Sequence, residues 1–514
     1  MKNNNAQVLI KGTWILSVSS LIIKILSAFY RVPLQNLVGD RGFYVYQQVY
    51  PLYGLCTAVA LTGIPMFVSQ VLAESSEQSS NNRRYLLIGA IILGILGAVV
   101  LKILAFPLAS WMGDSRLAPL IKALSWFYLL APLEAVYRGI YQADLQMLPT
   151  ALSQVSEQIV RVVIIIAAAV TLPTEYYQMS TWAHAGSGVG ALTALIILVS
   201  FKLPQTNAAP TVKPNLINLG KRFITEGLMF SLFGSLLVLF QTIDSFTMYK
   251  LLSSNNWTNP QVLKGIYDRG QPLAQLGVVV AISFATAILP QLSRRPVAKQ
   301  QTIISSTIHV TLTLAASSAV GMAVLMPQIN TLLFQNSRQS LTLAIYVLSV
   351  VFVAYAMVLN TIMQAQHYRQ QNFRELFLVL VLKWAANLWL IPHLGPLGAS
   401  IATLLASFLL AVLLYYKASR NLQKILIQKG FLKKLVLIML FLAGFVAVLS
   451  MFWRLIEPLT RLTALWEVSL TIVLAVLIVV ILSYHWQLLT LDEWDLVPGG
   501  SWILKMLGGK HALR

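Results

Sequence analysis

Between Leu133 and Ile166 the chain carries two pairs of opposite charge at helical spacing, Glu134 with Arg138 and Glu157 with Arg161. Side chains four apart share a helix face, so each pair can close an ion bridge over one turn. A guanidinium held this way still has donors to offer, and its planar fork suits carboxylates and phosphates. The setting is what makes these charges informative. Arg161 precedes a long apolar run and falls near the middle of its stretch, where an ionised group in lipid is costly and marks a functional position by default. Gln154, Glu157, Gln158 and Arg161 recur at i, i+3, i+4 and i+7, one polar stripe on a helix. Such a stripe faces protein or a water-filled cavity. Either Glu157 and Arg161 form a structural ion pair, or the stripe is a cavity wall in which Glu157 steadies Arg161 for a ligand.

The elements that must position these residues are membrane spans. The chain is 57% hydrophobic and 11% charged, with a mean hydropathy of +0.73. Apolar stretches of about 20 residues, enough to cross a bilayer as helices, recur along its length. We expect an all-α polytopic membrane protein with fourteen transmembrane helices, at 10–30, 43–72, 85–110, 118–141, 150–172, 183–203, 223–249, 271–293, 304–327, 341–366, 373–392, 396–419, 432–452 and 466–490. The N-terminal stretch reads as a retained first helix rather than a cleaved signal. The single cysteine, Cys56, excludes an internal disulfide and a cysteine metal site, and the scattered histidines give no ligand pair, so no metal is expected. The net charge of +20 is explained by orientation rather than nucleic acid. Basic residues such as Arg83, Arg84, Lys221, Arg222, Lys433 and Lys434 crowd alternate loops, which predicts both termini in the cytoplasm.

The second half repeats the first at an offset of about 222 residues. Gln142 maps to Gln364, Arg138 to Asn360 and Arg161 to Lys383, while Pro65 is echoed by Pro290. Asp-Arg-Gly triplets precede both prolines, at Asp40-Arg41-Gly42 and Asp268-Arg269-Gly270. Six helices per repeat implies two six-helix lobes in a parallel pseudo-two-fold arrangement plus two C-terminal helices. The expected division is an N-lobe at 1–205, a cytoplasmic linker at 206–222, a C-lobe at 223–419, a linker at 420–431, a helix pair at 432–490 and a cytoplasmic tail at 491–514.

The intramembrane charges lean cationic: Lys24, Arg138, Arg161 and Lys383, with Arg31 and Arg269 at span ends, against Glu134, Glu157, Glu226 and Asp244. That favours an anionic ligand. Arg138, close to the inner end of its span, has the option of snorkelling. Lys383 has Val379, not an acid, four residues before it, and Asp244 is predicted to face it, with Asn387 lining the same place. No Gly-Lys-Ser/Thr phosphate loop occurs, and the largest outer loop, 250–268, has one acid, poor material for catalysis. A transporter is expected rather than an enzyme, driven by the membrane potential or a monovalent cation, with no cofactor.

The segments RGIYQADLQMLPTALSQVSEQIVRV and GIYDRGQPLAQLGVVVAISFATAILPQLS resemble the SpoVB/YtgP polysaccharide-export branch, grouped with MurJ-type lipid II flippases in the multidrug/oligosaccharidyl-lipid/polysaccharide exporter superfamily. The resemblance implies alternating access by two lobes around a cationic cavity for the diphosphate of an undecaprenyl-linked sugar, with the last two helices forming a groove for the lipid tail. It implies cavity arginines at Arg31, in SAFYRVPL, and at Arg269, after Asp268. A third cavity arginine of the family falls where this chain has Gln47 and Gln48; Gln48 is then a lining residue, and Arg138 or Arg161 supplies the charge. Some members hold sodium between the seventh, eleventh and twelfth helices. Asp244, Asn387 and Thr403 are similar to its ligands, and Lys383 stands where a neutral ligand is expected, so its ammonium is read as a tethered substitute for the ion.

The resemblance therefore implies a monomeric plasma-membrane flippase for a lipid-linked sugar diphosphate, foremost lipid II, working beside cell-wall synthesis enzymes. The alternatives are the same fold moving a capsule, teichoic-acid or spore-cortex precursor, a cation-coupled drug exporter, which would need an acidic cavity, and a membrane polymerase or ligase.

Overall fold

The computed structural model describes residues 2–74, 79–203, 220, 222–223, 227, 229–288, 297–365, 372–418, 423, 430–497 and 499–506. Among these the chain is helical without strands, and 11 helices are long and apolar enough to cross a membrane. The expected count of fourteen goes beyond these residues. The first and second expected spans lie in one continuous helical stretch, Val18–Glu74, and the seventh and eighth border residues outside the description. Both expected linkers fall largely outside it, as do Glu226 and Pro290. The described residues form two compact units, Met1–Asp268 and Arg269–Arg514.

The first unit contains α1 (Lys2–Phe29), α2 (Arg31–Ala58), α3 (Ile64–Glu74), α4 (Ser79–Trp111), α5 (Ala118–Ala143), α6 (Met147–Thr171) and α7 (Tyr176–Ser200). It ends with α8 (Met229–Gly234), α9 (Leu236–Ser254) and α10 (Pro260–Asp268), which pack on α2. Two local features break the long first stretch. Gly39 takes φ 66°, ψ −178° within α2, a conformation an L side chain rarely adopts, so the chain bends there. After α2 a π-helical turn, Val59–Gly63, inserts the extra residue of an i→i+5 turn before α3 resumes. Gly63 lies against the Gly227 carbonyl and the Ser231 side chain, an approach that leaves no room for a Cβ.

α5, α6 and α7 pack side by side, and glycine brings them close. On α7, Gly186 meets Ile164, Gly188 meets Trp126, and Gly190 lies against the Glu157 carbonyl. Small residues let membrane helices approach until van der Waals contact and polar bonds hold them, because lipid supplies no hydrophobic drive between helices. α6 shows both faces. Leu152, Ile159, Val163 and Val170 are exposed along one side, while Glu157, Gln158, Arg161 and Ile165 are buried on the other. The polar stripe read from the sequence thus faces the protein.

The second unit contains α11 (Gly270–Ile288), α12 (Val297–Val324), α13 (Met326–Phe334), α14 (Ser340–Ala365), α15 (Phe373–Leu394) and α16 (Pro396–Lys417). It continues through α17 (Phe431–Ile456) and α18 (Arg461–His485) to two short helices, α19 (Leu491–Trp494) and α20 (Gly500–Met506). Polar contacts, most of them buried, fasten these last elements. Gln328 of α13 donates to Glu467 of α18 at 2.7 Å, and Arg461 donates to the Leu332 carbonyl at 3.0 Å. His309 of α12 meets Glu493 of α19 at 2.8 Å and stacks on Phe431, with ring centroids 4.0 Å apart. Glu493 also closes a capping box with Thr490. Burial raises the Glu493 carboxyl, but the bonds from His309 and Thr490 outweigh it and hold the group below its ordinary value.

Candidate functional site

In the first unit, three arginines that the sequence singles out are almost wholly buried, and they differ in how they are balanced. Arg138 on α5 has lost its option of snorkelling: its side chain is sealed inside. Its Nη2 lies 2.8 Å from Glu134 Oε2 and 2.7 Å from Glu157 Oε2, and its Nε donates to Ser153 Oγ at 3.1 Å. This corrects the pairing expected along α6. Glu157 bridges to Arg138 on the neighbouring helix α5 instead of to Arg161, while Gly190 of α7 lies against the Glu157 carbonyl on another side.

Arg161, at 1% exposure, has no carboxylate within 4.0 Å among the described residues. Its guanidinium carbon sits 4.3 Å from the centre of the Tyr53 ring and 5.2 Å from that of Tyr30. One nitrogen, Nη2, donates to Gln158 Oε1 at 3.1 Å, and Nε donates to nothing. Gln158 in turn donates to Ser27 Oγ of α1 at 3.0 Å, which ties the stripe to the first helix. Arg31, at the start of α2, lies 4.3 Å from the Tyr50 ring and 6.0 Å from Tyr30. Tyr30 is therefore the shared neighbour of both arginines. Its hydroxyl bonds that of Tyr46 at 2.8 Å, and Tyr46 lies on His184 of α7, whose Nδ1 is 2.8 Å from the Ser180 carbonyl.

The arrangement is a cationic chamber walled by aromatic rings. Ring faces attract the guanidinium groups without cancelling their charge, at about 2 kcal/mol or more per contact when water is excluded. An incoming anion finds forked donors in a medium of low dielectric, where each charge-assisted bond is strong. The sequence reading missed the tyrosines. Their signal was present: Tyr46, Tyr50 and Tyr53 fall at i, i+4 and i+7, one face of α2.

The remaining expected residues distribute as follows. Gln48 is buried and donates to the Ser245 carbonyl of α9 at 2.6 Å. Asp244, also on α9, accepts from the Tyr267 hydroxyl at 2.7 Å within the first unit. Near it, Lys264 and Asp268 form an ion pair at 2.5 Å on α10. Burial pushes the Asp268 carboxyl up to about 6, against the pull of Lys264. Lys383, Asn387 and Thr403 are buried in the second unit, and Thr403 bonds the Ala399 carbonyl one turn back. Arg269 opens the second unit, its Nη1 donating to Asn330 at 2.8 Å and Asn336 at 3.0 Å while its guanidinium lies 5.0 Å from Phe334.

Comparison with known proteins adds an independent line. Residues 9–295 match the family model described as polysaccharide biosynthesis protein. The uncharacterized membrane protein YabM of Bacillus subtilis (strain 168) is 32% identical over 516 residues, covering 97% of this chain and 96% of that protein. The lipid II flippase MurJ of the same organism is 23% identical over 461 residues, covering 82% of this chain and 85% of that one. A solved structure of lipid II flippase MurJ in an inward closed conformation superposes with a TM-score of 0.68 at 16% identity, over 91% of this chain and 98% of that one. That likeness shows the fold. A family model matched over more than half the chain, and a relative matched along nearly all of it, agree with the motifs: this multi-span helical membrane protein belongs to the polysaccharide biosynthesis protein family.

Proposed function

We propose that the chain is a flippase that moves an undecaprenyl-diphosphate-linked cell-wall precursor, foremost lipid II, from the inner to the outer leaflet of the plasma membrane by alternating access. The observation that carries this reading is Arg161, a buried arginine with aromatic neighbours, an idle Nε and no acid partner among the described residues. Beside it Arg31 offers a second guanidinium across Tyr30. Two forks separated by one ring suit the two phosphates of a lipid-linked diphosphate. Unassisted passage would strip sugars and a diphosphate of water in hydrocarbon, which is prohibitive. The chamber replaces that water with fixed donors. Gln158 occupies one Arg161 nitrogen, and an arriving phosphate takes over its donors. An inside-negative potential adds about 2.3 kcal/mol per charge per 100 mV to outward movement of the anion. On this reading the protein works as a monomer with both termini in the cytoplasm, beside cell-wall synthesis enzymes.

The test is flipping by the full chain in liposomes, with fluorescent lipid II and a membrane-impermeant quencher. Wild type should expose lipid II on the far leaflet, and Arg161→Ala should slow it by about 30-fold or more, the loss of one charge-assisted contact. Failure with lipid II but movement of an undecaprenyl-diphosphate carrying another glycan would reassign the substrate to a different surface polymer. Failure with both would sink the reading.

A further inference from the structure

Arg138 is held by one acid more than its charge requires. Glu134 and Glu157 reach the same nitrogen, Nη2, from two helices, at 2.8 Å and 2.7 Å. Both carboxyl groups are buried, Glu134 at 1% exposure, and Glu134 Oε1 accepts no hydrogen bond. Ser153 donates nothing to them, because its hydroxyl bonds the Thr150 carbonyl. Two carboxylates and one guanidinium leave a net negative charge in a dry interior. Crowding on one donor in a dry interior disfavours both carboxyl groups being ionised together, so a proton on either one relieves the excess charge. Neither Glu134 oxygen has a hydrogen-bond partner among the described residues, so its carboxyl meets Arg138 by charge alone.

We propose that Glu134 and Glu157 hold one exchangeable proton, and that a diphosphate anion binding at Arg161 and Arg31 is linked to its uptake. The inference rests on the anion-site reading given above. Arg161 follows Glu157 by one turn of α6. Without the proton, the triad carries charge −1 and weakens the field that Arg161 presents. With it, the triad is neutral and Arg161 meets the anion at full strength. Coupling is reciprocal, so the bound anion raises proton occupancy as much as the proton raises anion affinity. The step forms one O–H bond on a carboxylate oxygen, with the proton drawn from water or buffer, and nothing else is made or broken.

Other titratable groups around the pair are few. α2 turns Tyr53 and Cys56 toward the glutamates, α7 brings His184 near Arg161, and α1 carries Lys24. The charges of α3 and α4 lie toward their ends, as with Glu74 and Arg83, or elsewhere, as with Lys102 over Trp126. None of these is bonded to either glutamate.

Calorimetry of the purified full chain with farnesyl diphosphate, in buffers of different ionisation enthalpy, counts the protons taken up on binding. Wild type should take up close to one more proton than Glu134→Gln, whose amide imitates the protonated acid. Its affinity should fall by up to about tenfold per pH unit on the alkaline side relative to that variant, which keeps the probe's own titration as a control. Glu157→Gln approaches the same pair from the other helix. Infrared spectra of the farnesyl-diphosphate-bound protein should show a neutral-carboxyl band, weaker in the unliganded protein, that either substitution removes. Equal proton counts in wild type and variants would overturn the linkage and leave the anion site standing. Lack of a neutral-carboxyl band in the bound protein overturns the shared proton whatever the calorimetry shows. A wild type that does not bind farnesyl diphosphate overturns the anion-site reading, and the linkage with it.

Discussion

At the scale of single residues, the molecule separates charge that is neutralised from charge that is kept available. Arg138 and Arg161 lie on adjacent helices and are equally buried, yet one has two carboxylates and the other has aromatic faces and one amide. Hydropathy alone marked Arg161, because a cation ahead of a long apolar run stands out. It could not assign the partner of Glu157. Spacing knows only neighbours on the same helix, and the bond that forms joins residues 19 apart on two helices. The tyrosines were invisible for a related reason: aromatic residues in a span are ordinarily packing, and only the three-dimensional meeting of Tyr30 with Arg31 and Arg161 gives them a role. Arg161→Lys tests that role. It keeps the charge but loses the planar group between Tyr30 and Tyr53, so flipping should drop by about tenfold or more while protein yield is unchanged. If lysine is as active as arginine, the rings contribute packing alone.

At the scale of elements, the spans were legible and their interruptions were not. Long apolar runs located the 11 membrane-length helices among the described residues, since a segment in lipid must satisfy its own backbone bonds. The bend at Gly39 and the π turn at Val59–Gly63 leave little trace in composition, because each depends on what packs against it. Gly63 is such a case: the Gly227 carbonyl and Ser231 occupy the place of a side chain. Gly63→Ala should therefore force the π turn away from these neighbours and destabilise the first unit by about 1–3 kcal/mol, read as a lowered melting temperature in detergent. Gly89→Ala is the control, because nothing lies near the Cβ it would add and the melting temperature should stay put. Equal behaviour of the two variants would show that the turn yields freely.

At the scale of the whole molecule, fold and family follow from composition, repeat and motif together, while the last elements had to be seen. The short helix after α18 reads in sequence as part of a tail; it delivers Glu493 to His309, which stacks on Phe431. Because the Glu493 carboxyl is held below its ordinary value of 4.5, its contribution is complete above that pH and fades as the pH falls through the lowered value. Glu493→Gln should lower the melting temperature at neutral pH by a few degrees, and the gap from wild type should close in strong acid. A gap that persists there would assign the stability to packing rather than charge. The same contact also sets an order of assembly. His309 and Glu493 are 184 residues apart, and a ribosome adding about 5–20 residues per second needs roughly 10–40 s to make the intervening chain. During that interval α12 is already in the bilayer with a buried histidine and no acid to meet it. The second unit is therefore completed only after Glu493 has been made, and a stop codon shortly before it would yield a chain that inserts but remains open to the membrane quality-control proteases.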